Sequence, residues 1–152
     1  MKSILFVCLG NICRSPLAEG IAKEIVRRKE LNIKIDSAGT GDWHVGKAPC
    51  PNSIKVAQIN GIDISKQQAR QVTKRDFEDF DIIVALDSSN IENLKLVSDK
   101  KVVKLGFYGA DSKDVPDPYY FKGFEGFHEV YNMIESCVET LFKEIVYNAS
   151  KN

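Results

Sequence analysis

The sequence predicts an α/β fold: a single domain built on a doubly wound, four-stranded parallel sheet flanked by helices. Short, continuous apolar runs, typical of strands buried on both faces, alternate with segments whose apolar residues recur at helical spacing. Such alternation is typical of parallel sheets with right-handed crossovers. The 152 residues show no break in composition and are 43% apolar, enough for one core, so residues 1–152 are predicted to form that one domain.

The first half of the chain begins with the run "SILFVC", residues 3–8, which predicts a buried first strand. Apolar residues then follow a helical period from Pro16, so a helix is predicted with Ser15 as its N-cap and Pro16 at its first position. Residues 33–38 predict a short second strand, and a Gly- and Pro-rich loop separates it from a helix around residues 53–61.

The second half alternates in the same way. Thr73 is predicted to cap a short helix, and a long loop rich in Gly, Asp and Pro precedes the last helix. Long loops of this kind often carry function. In order, the predicted elements are a helix over residues 73–80, a buried strand over 81–86, a helix over 88–97, a strand over 101–105, the loop over 106–123 and a helix over 124–147.

The charge balance argues against several classes of partner. Lys and Arg together number 21, as do Asp and Glu, which favours neither nucleic acid nor a membrane surface. No apolar run approaches the roughly 20 residues needed to cross a bilayer, and the stretch "MKSILFVCLGN" is interpreted as a strand rather than a signal peptide. We therefore expect a cytoplasmic protein that binds neither nucleic acid nor membrane. The sequence leaves the oligomeric state open, and a monomer is the default expectation.

The cysteines and histidines do not predict a metal site. Their spacings are unrelated to one another, so no disulfide framework is expected. Neither histidine lies near a third ligand in sequence, so zinc is not expected either. No metal or cofactor is therefore predicted. The residues concerned are Cys8, Cys13, Cys50, Cys137, His44 and His128.

The stretch "VCLGNICRSP", residues 7–16, predicts an anion site. Ligands in such folds bind where a strand ends and a helix begins, and Cys8 lies at that point. Backbone N–H groups of a curled loop and the following helix N-terminus converge on one point. Gly10 and Asn11 suit a curled loop because both accept left-handed backbone conformations. The predicted phosphate-binding residues are Leu9, Gly10, Asn11, Ile12, Cys13, Arg14 and Ser15.

Cys8 and Arg14 form a candidate catalytic pair. The planar guanidinium of Arg14 can hold two phosphate oxygens, and a thiol in such surroundings is expected to ionise readily. Ser15 can donate a hydrogen bond to the sulfur. The spacing of a cysteine and an arginine is a weak signal alone, since a buried strand-end cysteine and a surface arginine would also produce it. Its position between strand and helix favours a cysteine that attacks phosphorus.

Five motifs, in order along nearly the whole chain, resemble the low-molecular-weight protein tyrosine phosphatases: "VCLGNICRSP", "DSAGTGDWHVG", "ARQVTKRDF", "DIIVALDSSN" and "VPDPYY". The resemblance implies a four-stranded parallel sheet, a phosphocysteine intermediate, no metal, a tyrosine-phosphorylated protein as substrate and inorganic phosphate as product. It makes Cys8 the nucleophile and Arg14 the phosphate clamp. Ser15 would stabilise the thiolate, and Asn11 would hold the loop with Ser37 as its hydrogen-bond partner.

A proton donor is the second requirement, because the pKa of a tyrosine leaving group is about 10. A carboxylic acid at that oxygen contributes roughly 10²- to 10⁴-fold. Asp117 lies between two prolines in the long loop, where an aspartate is often only a turn residue. The resemblance makes Asp117 the general acid and afterwards the base.

The resemblance also implies a deep cleft suited to phosphotyrosine. Trp43, Tyr119 and Tyr120 would form its walls, although each alone is equally consistent with core or surface. In related protein-arginine phosphatases a threonine takes the place of Ile12, whose larger aliphatic side chain favours an aryl phosphate.

Two positions depart from the family pattern. Gln67 replaces a common histidine, and a modest effect on loop rigidity is expected because glutamine still donates a hydrogen bond. The segment from residue 49 to 52 reads Pro-Cys-Pro-Asn instead of Pro-Asp-Pro-Arg, so Cys50 and Asn52 put the anchoring of the next helix in doubt.

The position of Cys13 predicts that the site is reversibly oxidised by peroxide. It lies five residues after Cys8 on the same loop, so mild peroxide is expected to form a reversible Cys8–Cys13 disulfide. In the alternative, Cys13 merely packs beneath the loop.

Two other functions compete. A thioredoxin-linked arsenate reductase needs further cysteines near the end of the third strand, and residues 82–97 contain none. A non-enzymatic anion-binding module needs the loop but neither Cys8 nor Asp117.

Overall fold

The secondary structure follows the predicted alternation of strands and helices. The structure, a computed structural model, describes residues 2–118 and 123–150. Its elements are β1 (Lys2–Cys8), α1 (Ser15–Arg28), β2 (Ile33–Gly39), α2 (Pro51–Ile59), α3 (Asp76–Asp79), β3 (Ile82–Ala85), α4 (Ser88–Lys95), β4 (Val103–Lys104), a 3₁₀ turn (Leu105–Phe107) and α5 (Glu125–Ser150).

The four strands form one parallel sheet in the order β2-β1-β3-β4, which confirms the predicted fold class. β1 lies inside the sheet, paired with β2 from Lys2 to Cys8 and with β3 from Ile4 to Val7. The chain crosses to opposite sides of β1 to reach these two neighbours. The carboxyl ends of β1 and β3 therefore lie side by side at a switch point, where parallel sheets bind ligands.

The core consists of two apolar layers separated by the sheet. Ile4, Phe6 and Cys8 face the layer under α1, α2 and α5, whereas Leu5 and Val7 face the layer under α3 and α4. All five side chains are buried. This two-sided burial explains why the first strand is a continuous apolar run rather than an alternating one.

The predicted caps at Ser15 and Thr73 are wrong. α1 begins at Ser15 itself, with Arg14 in the N-cap position and no side-chain cap, because the Ser15 hydroxyl contacts Cys8 instead. α3 spans only four residues. Its first residue, Asp76, accepts a hydrogen bond from the Thr73 backbone N–H at 2.7 Å. The Asp76 side chain thus binds the backbone of Thr73, whereas the predicted cap would have the Thr73 side chain bind the backbone of the helix.

α5 is the longest helix and closes one face of the molecule. Its apolar stripe, including Val130, Ile134, Val138 and Leu141, is buried in the layer shared with α1. Among the helices that the structure describes, none combines the length and apolar character needed to span a membrane.

Candidate active site

The loop between β1 and α1, residues 9–14, is here called the opening loop, and Asn11 fixes its shape. Asn11 has a left-handed backbone, with φ of 57°, and is 3% exposed. Its Oδ1 accepts a hydrogen bond from the Arg70 backbone N–H at 3.0 Å. Its Nδ2 donates to Ser15 Oγ at 2.8 Å and to Ser37 Oγ at 2.9 Å. The expected contact between Asn11 and Ser37 is therefore present.

The two hydrogen bonds that Asn11 Nδ2 donates determine where the hydroxyl protons of Ser15 and Ser37 point. Ser15 Oγ accepts from Asn11, so its own proton is available to Cys8 Sγ, 3.0 Å away. Ser37 Oγ likewise accepts from Asn11 and donates to Glu19 Oε1 at 2.6 Å. A continuous buried chain of hydrogen bonds thus runs from the sulfur to the Glu19 carboxylate.

Two glycines let neighbouring groups approach the opening loop closely. The left-handed residue is Asn11 and not Gly10, contrary to the expected use of that glycine. A Cβ on Gly10 would lie 2.9 Å from His44 Cδ2. A Cβ on Gly39, at the end of β2, would lie 2.8 Å from the Leu9 carbonyl oxygen. Gly39 therefore has to lack a side chain because the opposing atom belongs to the backbone, whereas a side chain at position 10 would displace the His44 ring.

The opening loop lines a cavity of about 240 Å³. Within the described residues, the backbone N–H groups of residues 9–14 have no acceptor. The N-terminus of α1 follows directly. Unpaired N–H groups beside a helix N-terminus form an anion site. The residues that line the cavity are Cys8, Leu9, Gly10, Ile12, Cys13, Arg14, Trp43, His44 and Asp117.

Arg14 is buried at this cavity and held in one orientation. Its Nη1 donates to Asp87 Oδ2 at 2.5 Å and to the Val115 carbonyl oxygen at 3.0 Å. Burial alone lowers the pKa of Arg14, but attraction to Cys8 and the hydrogen bond with Asp87 outweigh it, so this pKa lies above its ordinary value. The guanidinium is thus a fixed cation at the anion site.

Asp87 is the partner that sequence reasoning missed. It directly follows the third strand and caps α4, accepting from the Asn90 N–H while its own N–H donates to Asn90 Oδ1. Its other carboxylate oxygen binds Arg14. The sequence signal for this contact was an aspartate that follows the third strand. Because the carboxyl ends of parallel strands lie at one edge of the sheet, such a residue lies near the end of β1.

Asp117 lies at the same cavity as Cys8 and Arg14. Its Oδ2 is 3.9 Å from Arg14 Nη2, and its side chain is 28% exposed. Val115 ties this segment to the sheet, because its N–H donates to the Leu86 carbonyl oxygen at 2.9 Å. The structure therefore brings the three predicted catalytic side chains together.

The predicted cleft walls are met in part. Trp43 and Ile12 line the cavity, and Trp43 is 65% exposed at its rim. Tyr119 and Tyr120 lie outside the described residues. His44 also lines the cavity, and its Nδ1 is buried without a partner among the described residues. Its position next to Trp43 in sequence was the signal for this placement.

Cys13 forms a disulfide with Cys50, a pairing that the sequence analysis did not predict, and Cys13 is not paired with Cys8 here. The two Cα atoms are 5.4 Å apart, and Cys8 is a free thiol. The start of α2 folds back onto the opening loop, where the Cys50 N–H donates to the Ile12 carbonyl oxygen at 2.8 Å. This contact anchors residues 49–52, the segment that departs from the family pattern, at the start of α2.

Gln67 does not support the opening loop. Its Nε2 donates to the Pro16 carbonyl oxygen on α1 at 3.1 Å, and its Oε1 is buried without a partner among the described residues. Asn11 is held by the Arg70 backbone instead. Cys137 is buried in the core, and this burial raises its pKa. Across residues 2–118 and 123–150, no group of three His, Cys, Asp or Glu side chains is arranged to hold a metal ion.

The whole chain is similar to known proteins. The family model described as low molecular weight phosphotyrosine protein phosphatase matches residues 3–151. The low molecular weight protein-tyrosine-phosphatase YfkJ of Bacillus subtilis is 43% identical over 153 residues, covering 95% of this chain and 96% of that protein. A protein tyrosine phosphatase from Entamoeba histolytica superposes with a TM-score of 0.90 at 34% identity, covering 98% and 99% of the two chains. A Drosophila arginine phosphatase superposes with a TM-score of 0.86 at 33% identity, covering 95% and 98%.

Proposed function

The chain belongs to the low molecular weight phosphotyrosine protein phosphatase family, and from that premise we propose that it hydrolyses phosphotyrosine in proteins through a phosphocysteine on Cys8. One observation carries the proposal. Cys8, Arg14 and Asp117 line a single cavity whose loop N–H groups have no acceptor among the described residues. A nucleophile, an anion site and a carboxyl group at one cavity are what phosphoryl transfer to a thiolate requires.

In the first step the sulfur of Cys8 attacks phosphorus. The opening loop and Arg14 bind the non-bridging oxygens, whose charge the unpaired N–H groups stabilise. As the S–P bond forms, the bond from phosphorus to the tyrosine oxygen breaks. Asp117 in its protonated form gives its proton to that oxygen, which leaves as the neutral phenol.

In the second step water releases the phosphate. The Asp117 carboxylate takes a proton from the attacking water, whose oxygen bonds to phosphorus while the S–P bond breaks. Cys8 leaves as a thiolate that accepts a hydrogen bond from Ser15 Oγ, 3.0 Å away. Inorganic phosphate is the product, and neither step uses a metal or cofactor.

The residues around the cavity support tyrosyl phosphate as the substrate class. Trp43 at the rim offers a planar apolar surface to an aromatic ring, which a seryl side chain is too short to reach. Tyr119 and Tyr120 are proposed as further walls. Because an arginine phosphatase shares this fold, the lining residues decide the substrate. We propose that Ile12 narrows the base of the site against a phosphorylated guanidinium.

The test compares kcat/KM on matched peptides that carry phosphotyrosine, phosphoserine, phosphothreonine or phosphoarginine. We expect a preference for phosphotyrosine of about 10²-fold or more, since each contact contributes on the order of 1 to 3 kcal/mol. The Cys8→Ser variant is the control and is expected to be inactive on all four. Equal rates on phosphoserine would contradict the cleft argument, and a preference for phosphoarginine would contradict the role of Ile12.

The setting of the enzyme is part of the same proposal. Its equal numbers of acidic and basic residues favour neither nucleic acid nor a lipid surface as a partner. We propose a cytoplasmic monomer whose macromolecular partner is the phosphorylated substrate, and sedimentation equilibrium would test the monomer.

A further inference from the structure

We propose that Cys8, Cys13 and Cys50 form a three-thiol relay that reduces a hydroperoxide and returns Cys8 to its free form. In this relay Cys8 is oxidised first, Cys13 takes over its oxidation, and Cys50 ends as the disulfide partner of Cys13. A dithiol reductant then opens that disulfide. The relay is a redox activity beyond phosphate hydrolysis, and it rests on the proposed reactivity of Cys8.

Cys13 connects the other two cysteines. It lines the same cavity as Cys8, and it is bonded to Cys50. Cys8 is 2% exposed, whereas Cys13 and Cys50 are each partly exposed. The interior end of the relay is thus the nucleophile, and its outer end is accessible to a reductant.

Contacts other than the disulfide keep Cys50 beside Cys13. The Cys50 N–H donates to the Ile12 carbonyl oxygen at 2.8 Å. Ser53 Oγ, in the first turn of α2, donates to the Cys13 carbonyl oxygen at 2.9 Å. Neither bond involves a sulfur atom, so we expect both to remain when the disulfide is reduced and to keep Cys50 within reach of Cys13. Cys50 also occupies the N-cap position of α2, where the helix dipole favours a negatively charged sulfur.

The oxidation steps balance with the hydroperoxide as oxidant and the three thiols as reductant, and the dithiol reductant completes the cycle. The Cys8 thiolate attacks the terminal oxygen of the hydroperoxide, forming a sulfenic acid as the O–O bond breaks and an alcohol or water leaves. The Cys13 thiolate then attacks the Cys8 sulfur, so an S–S bond forms and the hydroxide departs, protonated, as water. The Cys50 thiolate finally attacks the Cys13 sulfur and expels Cys8 as a thiolate. The two electrons that reduce the peroxide come from Cys13 and Cys50.

The site favours the last exchange in this direction. Thiol–disulfide exchange is faster when the leaving sulfur is stabilised as a thiolate. Ser15 Oγ lies 3.0 Å from the Cys8 sulfur, and the cationic Arg14 lines the same cavity. The product of the exchange is the pairing in the structure, with Cys8 free and Cys13 bonded to Cys50. Oxidation thereby moves from the nucleophile to the accessible disulfide.

The experiment begins with fully reduced protein and about one equivalent of hydrogen peroxide. Free thiols are then alkylated, disulfides are mapped by mass spectrometry, and aryl phosphate hydrolysis is measured before any thiol is added. We expect wild type to contain the Cys13–Cys50 bridge, with Cys8 alkylated and activity kept. Cys50→Ser is expected to have normal activity when reduced. After peroxide treatment, this variant should retain a Cys8–Cys13 bridge, and its aryl phosphatase activity should fall at least 10-fold until dithiothreitol is added. Cys137→Ala, which changes a core cysteine outside the relay, is expected to match wild type.

Two further readings separate the relay from direct oxidation. In Cys8→Ser the Cys13–Cys50 bridge is expected to form at least 10-fold more slowly, because the peroxide-reactive thiol is gone. An equal rate in that variant would overturn the relay, as would equal loss of activity in wild type and Cys50→Ser. Disulfide mapping does not depend on phosphatase activity. The expected bridges in a protein without phosphotyrosine hydrolysis would therefore refute the proposed function and support the relay.

Discussion

The two loops that meet at the cavity are held in different ways. The opening loop is fixed from several sides: Asn11 makes three side-chain hydrogen bonds, and the start of α2 binds its outer side. The acid loop, named here for the proposed role of Asp117 and defined as residues 106–118, turns through left-handed residues at 109, 111 and 112. Near Asp117 it is tied to the sheet by Val115, and Arg14 binds the Val115 carbonyl oxygen.

This difference divides the chemistry between the loops. In the proposed mechanism the anion site and the nucleophile are in place before a substrate binds, because the opening loop is held by groups that belong to the fold. The proposed acid is positioned through Arg14, the residue of the opening loop that binds the acid loop at Val115. Changes in the opening loop should therefore affect binding and attack on every substrate. Changes in the acid loop should affect departure of the leaving group.

The largest effect is expected when the residue that joins the two loops is removed. Arg14→Ala should lower kcat/KM by about 10³-fold or more, because it removes the fixed cation and the contact with Val115. Arg14→Lys keeps the charge but not the two bonds of Nη1, so it should remain strongly impaired. Activity of Arg14→Ala within tenfold of wild type, in protein with an unchanged circular dichroism spectrum, would contradict this account.

Asp117→Asn tests whether the acid loop acts on the leaving group. We expect about a 10²- to 10³-fold loss on a phosphotyrosyl peptide but a much smaller loss on nitrophenyl phosphate, whose leaving group needs no proton. Rapid kinetics of the phosphorylation step provides the measurement. Asp114→Asn is a control from the same loop, since Asp114 binds Ser88 and Lys104 away from the cavity. Equal losses on both substrates would remove Asp117 as the acid.

Asn11→Ala tests the preformed loop. The change removes three hydrogen bonds at a buried site, so it should lower the free energy of unfolding by about 2 to 4 kcal/mol. It should also lower kcat by roughly 10- to 100-fold on aryl and phosphotyrosyl substrates alike. Ser37→Ala, which removes one link of the same chain, should show the same pattern at smaller size. Urea unfolding checks the first effect, and unchanged stability would show that Asn11 does not hold the loop.

The smallest effect on activity is expected behind the opening loop, at Asp76. Its carboxylate holds the Arg70 guanidinium at 3.0 Å, and the Arg70 backbone supports Asn11. Burial alone raises the pKa of Asp76, but its bonds with Arg70 and Thr73 outweigh this and lower it. The stabilisation is therefore complete above the unfolded pKa of about 4 and is lost as pH falls through the lower folded value.

Asp76→Asn should accordingly cost about 1 to 2 kcal/mol of stability at neutral pH with activity almost unchanged. Chemical unfolding between pH 2 and 7 should show the difference from wild type shrinking in acid. A constant difference across that range would mean that the charge of Asp76 does not contribute.

The sequence was informative where the structure is local. Cys8, Asn11 and Arg14 could be placed because a strand, a short loop and a helix follow one another within ten residues. The contacts that it did not reveal join distant positions. The partners Cys13 and Cys50 are 37 residues apart, and Arg14 and Asp87 are 73 apart. No periodicity or turn motif in the sequence predicts contacts between residues so far apart.

The caps were missed for a related reason. Ser15 has the chemistry of an N-cap, but a sulfur 3.0 Å away and the Asn11 amide engage its hydroxyl. Local preference gives way when a tertiary contact uses the same atom. The helix cap that is present, at Asp87, lies on a residue whose second oxygen also binds Arg14. Ser15 therefore makes contacts within the site and does not cap its helix, whereas Asp87 does both.

The most direct test of the central claim is to trap the phosphorylated enzyme. Asp117→Asn mixed with nitrophenyl phosphate should form the S–P bond without an acid but hydrolyse it slowly, because the base for water is missing. Quenching within the first turnover and mapping the phosphate by mass spectrometry should place one phosphate on Cys8. Phosphate on any other residue, or continued turnover with no phosphorylated enzyme, would contradict the account.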